Sequence, residues 1–129
     1  MDHWLDMRWD APSCMRLDVG LAPAGDGRVA GRSSPQAHIL TPETATSTHY
    51  FWAATRTYDL DPSADEAVRA RLSPAFDHEY KPMIEAVQRE LGDEDFWAAK
   101  PLFLGIDAAG TKVRRRVEAM LKAEAELMP

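Results

Sequence analysis

The sequence has a single cysteine, Cys14, so no disulfide can form within it. That fits a reducing compartment, and the cytoplasm is the expected location. It also lacks any apolar run near the roughly 20 residues of a spanning helix. The opening MDHWLDMRW shows no basic-then-apolar signal pattern, so no membrane association is expected. Positive charge is in deficit: 15 Lys and Arg stand against 21 Asp and Glu, a net charge of −6. Such an acidic chain has no general attraction for nucleic acid or an anionic lipid surface. Internal repeats and low-complexity tracts are absent, and 129 residues suffice for one domain at most.

What is present reads as strands followed by helices. Met15, Leu17, Val19 and Leu21 alternate with Arg16 and Asp18, the period-two pattern of a half-buried strand over Cys14–Leu21. Cys14 is expected to be a small buried residue of that strand. Pro23 and the run Ala24-Gly25-Asp26-Gly27 end it, and a further short strand is expected over Arg28–Arg32. His38 to Tyr58 reads HILTPETATSTHYFWAATRTY. Pro42 and four small hydroxyl residues separate two β-prone runs there, which predicts an antiparallel hairpin. Strands are thus placed at about 14–58. Before them, Trp4, Leu5, Met7 and Trp9 are large apolar residues that need a partner surface. They form either a first strand or the interior of a domain that starts further upstream.

Helices are placed at about 63–91 and 107–127. Ser63 with Glu66 suggests a capping box, and Ser73-Pro74 a fresh helix start. Phe76, Tyr80, Ile84, Val87 and Leu91 recur at helical spacing and predict a buried stripe, while Asp77, Lys81, Glu85 and Arg89 form a solvated ladder. Pro82 withholds a backbone donor and predicts a kink near residues 78–82, and Gly92 closes the helix. Phe96, Trp97, Leu102 and Phe103 make an aromatic connector expected to serve as core. Asp107 is the expected cap of a last helix whose apolar face is Val113, Val117, Met120, Leu121 and Leu127. Lys112 and Arg114–Arg116 read as a solvated basic face.

Three stretches, DMRWDAP, HILTPET with THYFW, and KPMIEA, together resemble the C-terminal part of the catalytic domain of vanillate O-demethylase-like Rieske non-haem iron oxygenases. The resemblance covers nearly the whole chain and implies an α+β fold of the helix-grip (START/Bet v 1-like) kind. In it an antiparallel sheet packs on a long C-terminal helix, here as one incomplete domain segment over residues 1–129, without a Rieske domain. It implies oxygen-dependent hydroxylation or O-demethylation of aromatic acids, with electrons from a reductase, usually in a homotrimer. The family uses a mononuclear Fe(II) and a Rieske [2Fe-2S] cluster.

The resemblance also sets the expected site residues. His38 is a substrate contact at the cavity, as against a strand-end histidine bonded to a neighbour or to water. Leu17 offers apolar substrate surface. In the helix the family places its iron carboxylate just before the Lys-Pro pair, where this chain has Tyr80, preceded by Glu79. Tyr80 is therefore read as a cavity residue and Glu79 as the metal-ligand candidate, with an ordinary solvated carboxylate as the alternative. The family's Asp-x-x-His-x-x-x-x-His motif has no counterpart among His3, His38, His49 and His78, and the Rieske cluster needs paired Cys and His ligands. A His38–His49 metal pair lacks a third ligand. The expectation is a C-terminal oxygenase fragment that supplies cavity wall, binds no cofactor alone and is inactive alone. The alternative is a stand-alone, non-catalytic small-molecule-binding domain of the same fold. Expected partners are an aromatic acid, the remainder of the oxygenase subunit and a reductase.

Overall fold

Nine-residue runs of alternating side chains on either side of Ala11-Pro12-Ser13 pair along their whole length. In the computed structural model, which describes residues 1–127, they form β1 (Asp2–Asp10) and β2 (Cys14–Ala22). β3 (Arg32–Pro42) and β4 (Thr48–Ala54) continue a four-stranded antiparallel sheet in the order β1-β2-β3-β4. The sheet therefore starts earlier than residue 14, because Trp4 to Trp9 are strand residues. The fold is α+β, as the sequence predicts, with the helices following the strands. Residues 128 and 129 of the expected segment lie outside the described residues.

Because opposite residues in a ladder share a face, the register divides the side chains cleanly. Trp4, Asp6, Arg16, Asp18, Gly20, Ala37, Ile39, His49 and Phe51 lie on one face. Leu5, Met7, Trp9, Met15, Leu17, Val19, His38, Tyr50 and Trp52 lie on the other. On the first face the Trp4 indole lies over Gly20 and against Gly31, with the Arg28 guanidinium 5.1 Å from its ring centre. Trp4 is 7% exposed and Ala22 3%. The expected strand at Arg28–Arg32 is instead a 3-10 turn over Arg28–Ala30. Gly27 enters it at φ 73°, and the turn lets Arg28 pair with Asp6 across the face. Cys14 is exposed rather than buried, since it faces this polar side near the hairpin turn.

The loop between β3 and β4 closes on its own hydroxyls: Thr44 Oγ1 accepts from the backbone N–H of Thr46 and of Ser47. Past Ala54 the regular ladder stops, yet Thr55 and Thr57 still donate to the carbonyls of Pro35 and Ser33. Arg56 then clamps the crossing to the helices, donating to the Asp59 and Asp61 carbonyls and pairing with Asp65.

α1 (Asp65–Pro74), a π-helical segment (Ala75–Tyr80) and α2 (Lys81–Leu91) follow one another with helical backbone throughout. The expected Ser63 cap is replaced by Asp61, whose carboxylate accepts from the Ser63 N–H and whose pKa is lowered by that bond. Ser73-Pro74 does not start a new helix. Instead the chain widens into the π segment, where the Lys81 N–H reaches back five residues to the Phe76 carbonyl. Pro82, which has no N–H for an ordinary helical bond, follows directly on the wide π turn, and the helical backbone continues through it. Gly92, at φ 59°, ends α2. Lys81 and Glu85 pair as the ladder predicts. The expected buried stripe is not buried: Tyr80, Ile84 and Val87 are exposed, because no other described element lies over them.

α3 (Ala108–Leu127) follows Asp107, whose carboxylate accepts from the Leu104 N–H. The aromatic connector packs on α3: Phe96, Trp97 and Phe103 cluster, Arg114 lies over the Phe96 ring at 3.4 Å, and Trp97 bonds Glu118. Arg114 is thus a packing residue, and Leu102 remains exposed. No described helix is long and apolar enough to cross a membrane.

A Cβ placed on Gly20 would overlap the Trp4 ring. Gly20→Ala should therefore lower stability by about 1–3 kcal/mol, the usual cost of overpacking. Urea unfolding followed by tryptophan fluorescence measures this, and an unchanged midpoint would contradict the Trp4 packing described.

Candidate functional site

The second sheet face carries the chain's most secluded titratable group. His38, in the middle of β3, is 4% exposed. Its cross-strand partner is Trp52 on one side and Met15 on the other, and Tyr50 and Leu17 are its diagonal neighbours. The Tyr50 hydroxyl lies 2.7 Å from His38 Nδ1, whereas Nε2 is buried without a partner among the described residues.

The π segment covers this cluster through one ring. Phe76 stacks on Trp52 at 4.3 Å and 11°, and meets Tyr50 edge-on with centroids 6.1 Å apart. Its centroid is also 6.1 Å from that of His38. Such aromatic pairs contribute about 0.5–1.5 kcal/mol each beyond area burial. They anchor the helix to the sheet. Tyr80 lies beside Phe76, ring centroids 5.8 Å apart, but stays 57% exposed at the rim. Leu17 is half-buried on the same face.

Burial holds the His38 pKa below the ordinary imidazole value and the Tyr50 pKa above the ordinary phenol value, the nearby Tyr80 adding to the latter. Both groups are therefore kept neutral. The arrangement is an aromatic cluster around a buried imidazole, one of whose nitrogens has no partner among the described residues. It contains no evident nucleophile and no pair of carboxylates.

The predicted residues divide accordingly. His38, Leu17 and Tyr80 share this face. Glu79 is exposed in the π segment. His49 lies on the opposite sheet face, 3.6 Å from Glu43, so the register excludes a His38–His49 pair. Among the described residues no three His, Cys, Asp or Glu side chains come together as a metal site. The donor set of this chain alone does not fit a two-histidine-one-carboxylate iron centre. Clefts of about 240 Å³ beside Trp4 and about 320 Å³ beside Phe96 lie away from His38. Tyr50 and Trp52 were not singled out from sequence, although the alternation along THYFW, once paired with His38, puts both beside it.

Residues 1–123 match the model of the vanillate O-demethylase oxygenase C-terminal domain. The chain belongs to that family. It is 40% identical over 125 residues to the oxygenase component of chloroacetanilide N-alkylformylase from Rhizorhabdus wittichii, covering 96% of this chain and 36% of that protein. It is 33% identical to the oxygenase component of dicamba O-demethylase from Stenotrophomonas maltophilia, covering 97% and 37%. The crystal structure of dicamba monooxygenase bound to dicamba superposes with a TM-score of 0.86 at 33% identity, over 96% of this chain and 37% of that one. The chain thus spans little more than a third of the length of these relatives. A dicamba monooxygenase structure with non-haem iron and dicamba also matches, with a TM-score of 0.77.

The His38 shift has a calculable sign. Unfolded histidine takes up a proton near pH 6.5, whereas folded His38, buried against Tyr50 and the Phe76 ring, does so only at lower pH. Between the two values the unfolded chain binds more protons, so stability is full above about pH 6.5 and falls as pH drops towards the folded value. In His38→Phe this limb should flatten, leaving the acid loss at lower pH to Asp6 and Asp61, whose carboxyls are held below their usual range. Thermal unfolding at a series of pH values reads the difference, and parallel curves for the two proteins would refute it.

Proposed function

We propose that this chain forms the substrate-cavity wall of a Rieske-type oxygenase subunit that hydroxylates or O-demethylates an aromatic acid. The observation that carries this reading is His38: a buried imidazole with one nitrogen unpartnered among the described residues, packed among aromatic rings on the sheet face beneath the π segment. The proposal takes this cluster as the wall of a recess. Such a recess suits a planar ring with one polar substituent. The ring would lie against Leu17, Met15 and Phe76, its acid group on His38, with Tyr80 at the entrance. The helix-grip arrangement, kin to START domains, and a cytoplasmic setting belong to the same proposal.

Oxygen activation and electron delivery are assigned to groups outside these residues. Glu79 remains the carboxylate proposed to reach a mononuclear iron whose other ligands come from the rest of an oxygenase subunit, and a reductase supplies electrons. The exposure of Glu79 is compatible with a ligand that meets its metal only beside another segment. No step is derived through that metal.

A second reading is a stand-alone small-molecule-binding domain without redox chemistry. It keeps the buried His38 as the ligand contact and gives Glu79 no metal to hold. Metal analysis and oxygen uptake on the isolated chain do not separate the two, since both foresee no tight iron and no turnover. Near-stoichiometric iron with substrate-dependent oxygen uptake would overturn both. Coexpression with an upstream oxygenase segment carrying Cys-x-His and Asp-x-x-His-x-x-x-x-His motifs does separate them: restored iron binding, lost in Glu79→Ala, supports the oxygenase wall.

The shared core of both readings is the recess. Titration of vanillate-like acids should shift NMR signals on β2, β3 and the π segment, and His38→Ala should weaken those shifts. Shifts confined to Lys112–Arg116 would sink the assignment.

A further inference from the structure

His38 meets Tyr50 through Nδ1, and its Nε2 is buried without a partner among the described residues. A neutral imidazole carries one ring proton, so one nitrogen donates and the other accepts. The stronger of the two possible bonds to Tyr50 decides which. A phenol donates well, but its oxygen accepts poorly because a lone pair is delocalised into the ring. The bare imidazole nitrogen is the better acceptor. Burial disfavours imidazolium and phenolate alike, so the pair is a neutral O–H···N bond. Phe76 packs against the edge of Tyr50 and the strand register fixes it diagonally across from His38, so the phenol is aimed at Nδ1.

We propose that Tyr50 is a positioning residue that fixes the tautomer of His38, donating to Nδ1 so that the proton resides on Nε2 and the recess presents a hydrogen-bond donor. The proposal rests on the reading of His38 as a ligand contact. It adds what a ligand must bring there: an acceptor oxygen, as in a carboxylate, phenolate or carbonyl, and not an ammonium or other donor. An unpaired N–H in that position carries a desolvation cost that an acceptor relieves.

The test is a long-range ¹H–¹⁵N correlation of the histidine-labelled full chain, at a pH above imidazole protonation. Wild-type His38 should show an unprotonated Nδ1 and a protonated Nε2, and in Tyr50→Phe the two nitrogens should average towards a tautomer mixture. A protonated Nδ1 in the wild type would overturn the proposal, whatever the stability of the variant. So would an Nε2–H pattern that persists unchanged in Tyr50→Phe. Affinity supplies a second readout. Tyr50→Phe should weaken binding of a methoxybenzoate by about five- to tenfold while leaving anisole, which has no acid group, within about twofold. Equal losses for both probes would mean that Tyr50 merely packs. Failure of the wild type to bind either probe would defeat the recess as a ligand site, and the nitrogen signals would still decide the role of Tyr50.

Discussion

Everything here depends on the pairing register of three antiparallel ladders. Because side chains alternate with a period of two, a slip by one residue would exchange the two faces. The Trp4 indole, seated over Gly20, opposes such a slip between β1 and β2, since no neighbouring position offers the same bare backbone. The Asp6–Arg28 pair and the cation over Trp4 lie on that side as well. One face thus works as a lock, and the other is released to hold His38 among aromatic rings.

The second constraint is that the helices touch the sheet through few groups. Phe76 is the contact that places the π segment over Trp52, Tyr50 and His38. Leu5 and Met7 on β1 and Ile84 and Val87 on α2 stay exposed. His38 is therefore held at the junction of a well-paired sheet and a sparsely anchored helix. Its position is set by the ladders, and its cover by a single ring of the helix.

Sheet alternation and helix order were legible because both are local properties of the sequence. Met15 to Leu21 announces its period, and the hydroxyl-rich loop announces the hairpin. β1 was legible only as an alternative, because a chain-terminal run of large apolar residues does not itself say what it pairs with. The 3-10 turn at Arg28 was not legible, since it is set by a partner, Asp6, distant in sequence. Cys14 and the α2 stripe show the limit of periodicity, which reports the side a residue faces and not whether anything covers that side. His38 drew notice through the HILTPET resemblance, whereas its burial and its hydrogen bond to Tyr50 needed the register. Tyr80 and Glu79 were placed on a helix, but the π widening over Ala75–Tyr80 that includes them left no mark in the pattern.

That widening has a consequence for how the helix tolerates change. A π turn holds one residue more than an α-helix would use over the same span. Removing one residue between Ala75 and Tyr80 would let the backbone close into ordinary i→i+4 bonding. The lost residue would come out of the wide turn, so α2 would keep its azimuth relative to α1. Met83, Ile84 and Val87 would go on facing the same way, and β1 to β4 would keep every cross-strand bond. The segment is a point where a length change is absorbed locally, before it reaches the outward apolar side of α2 or the sheet that holds His38.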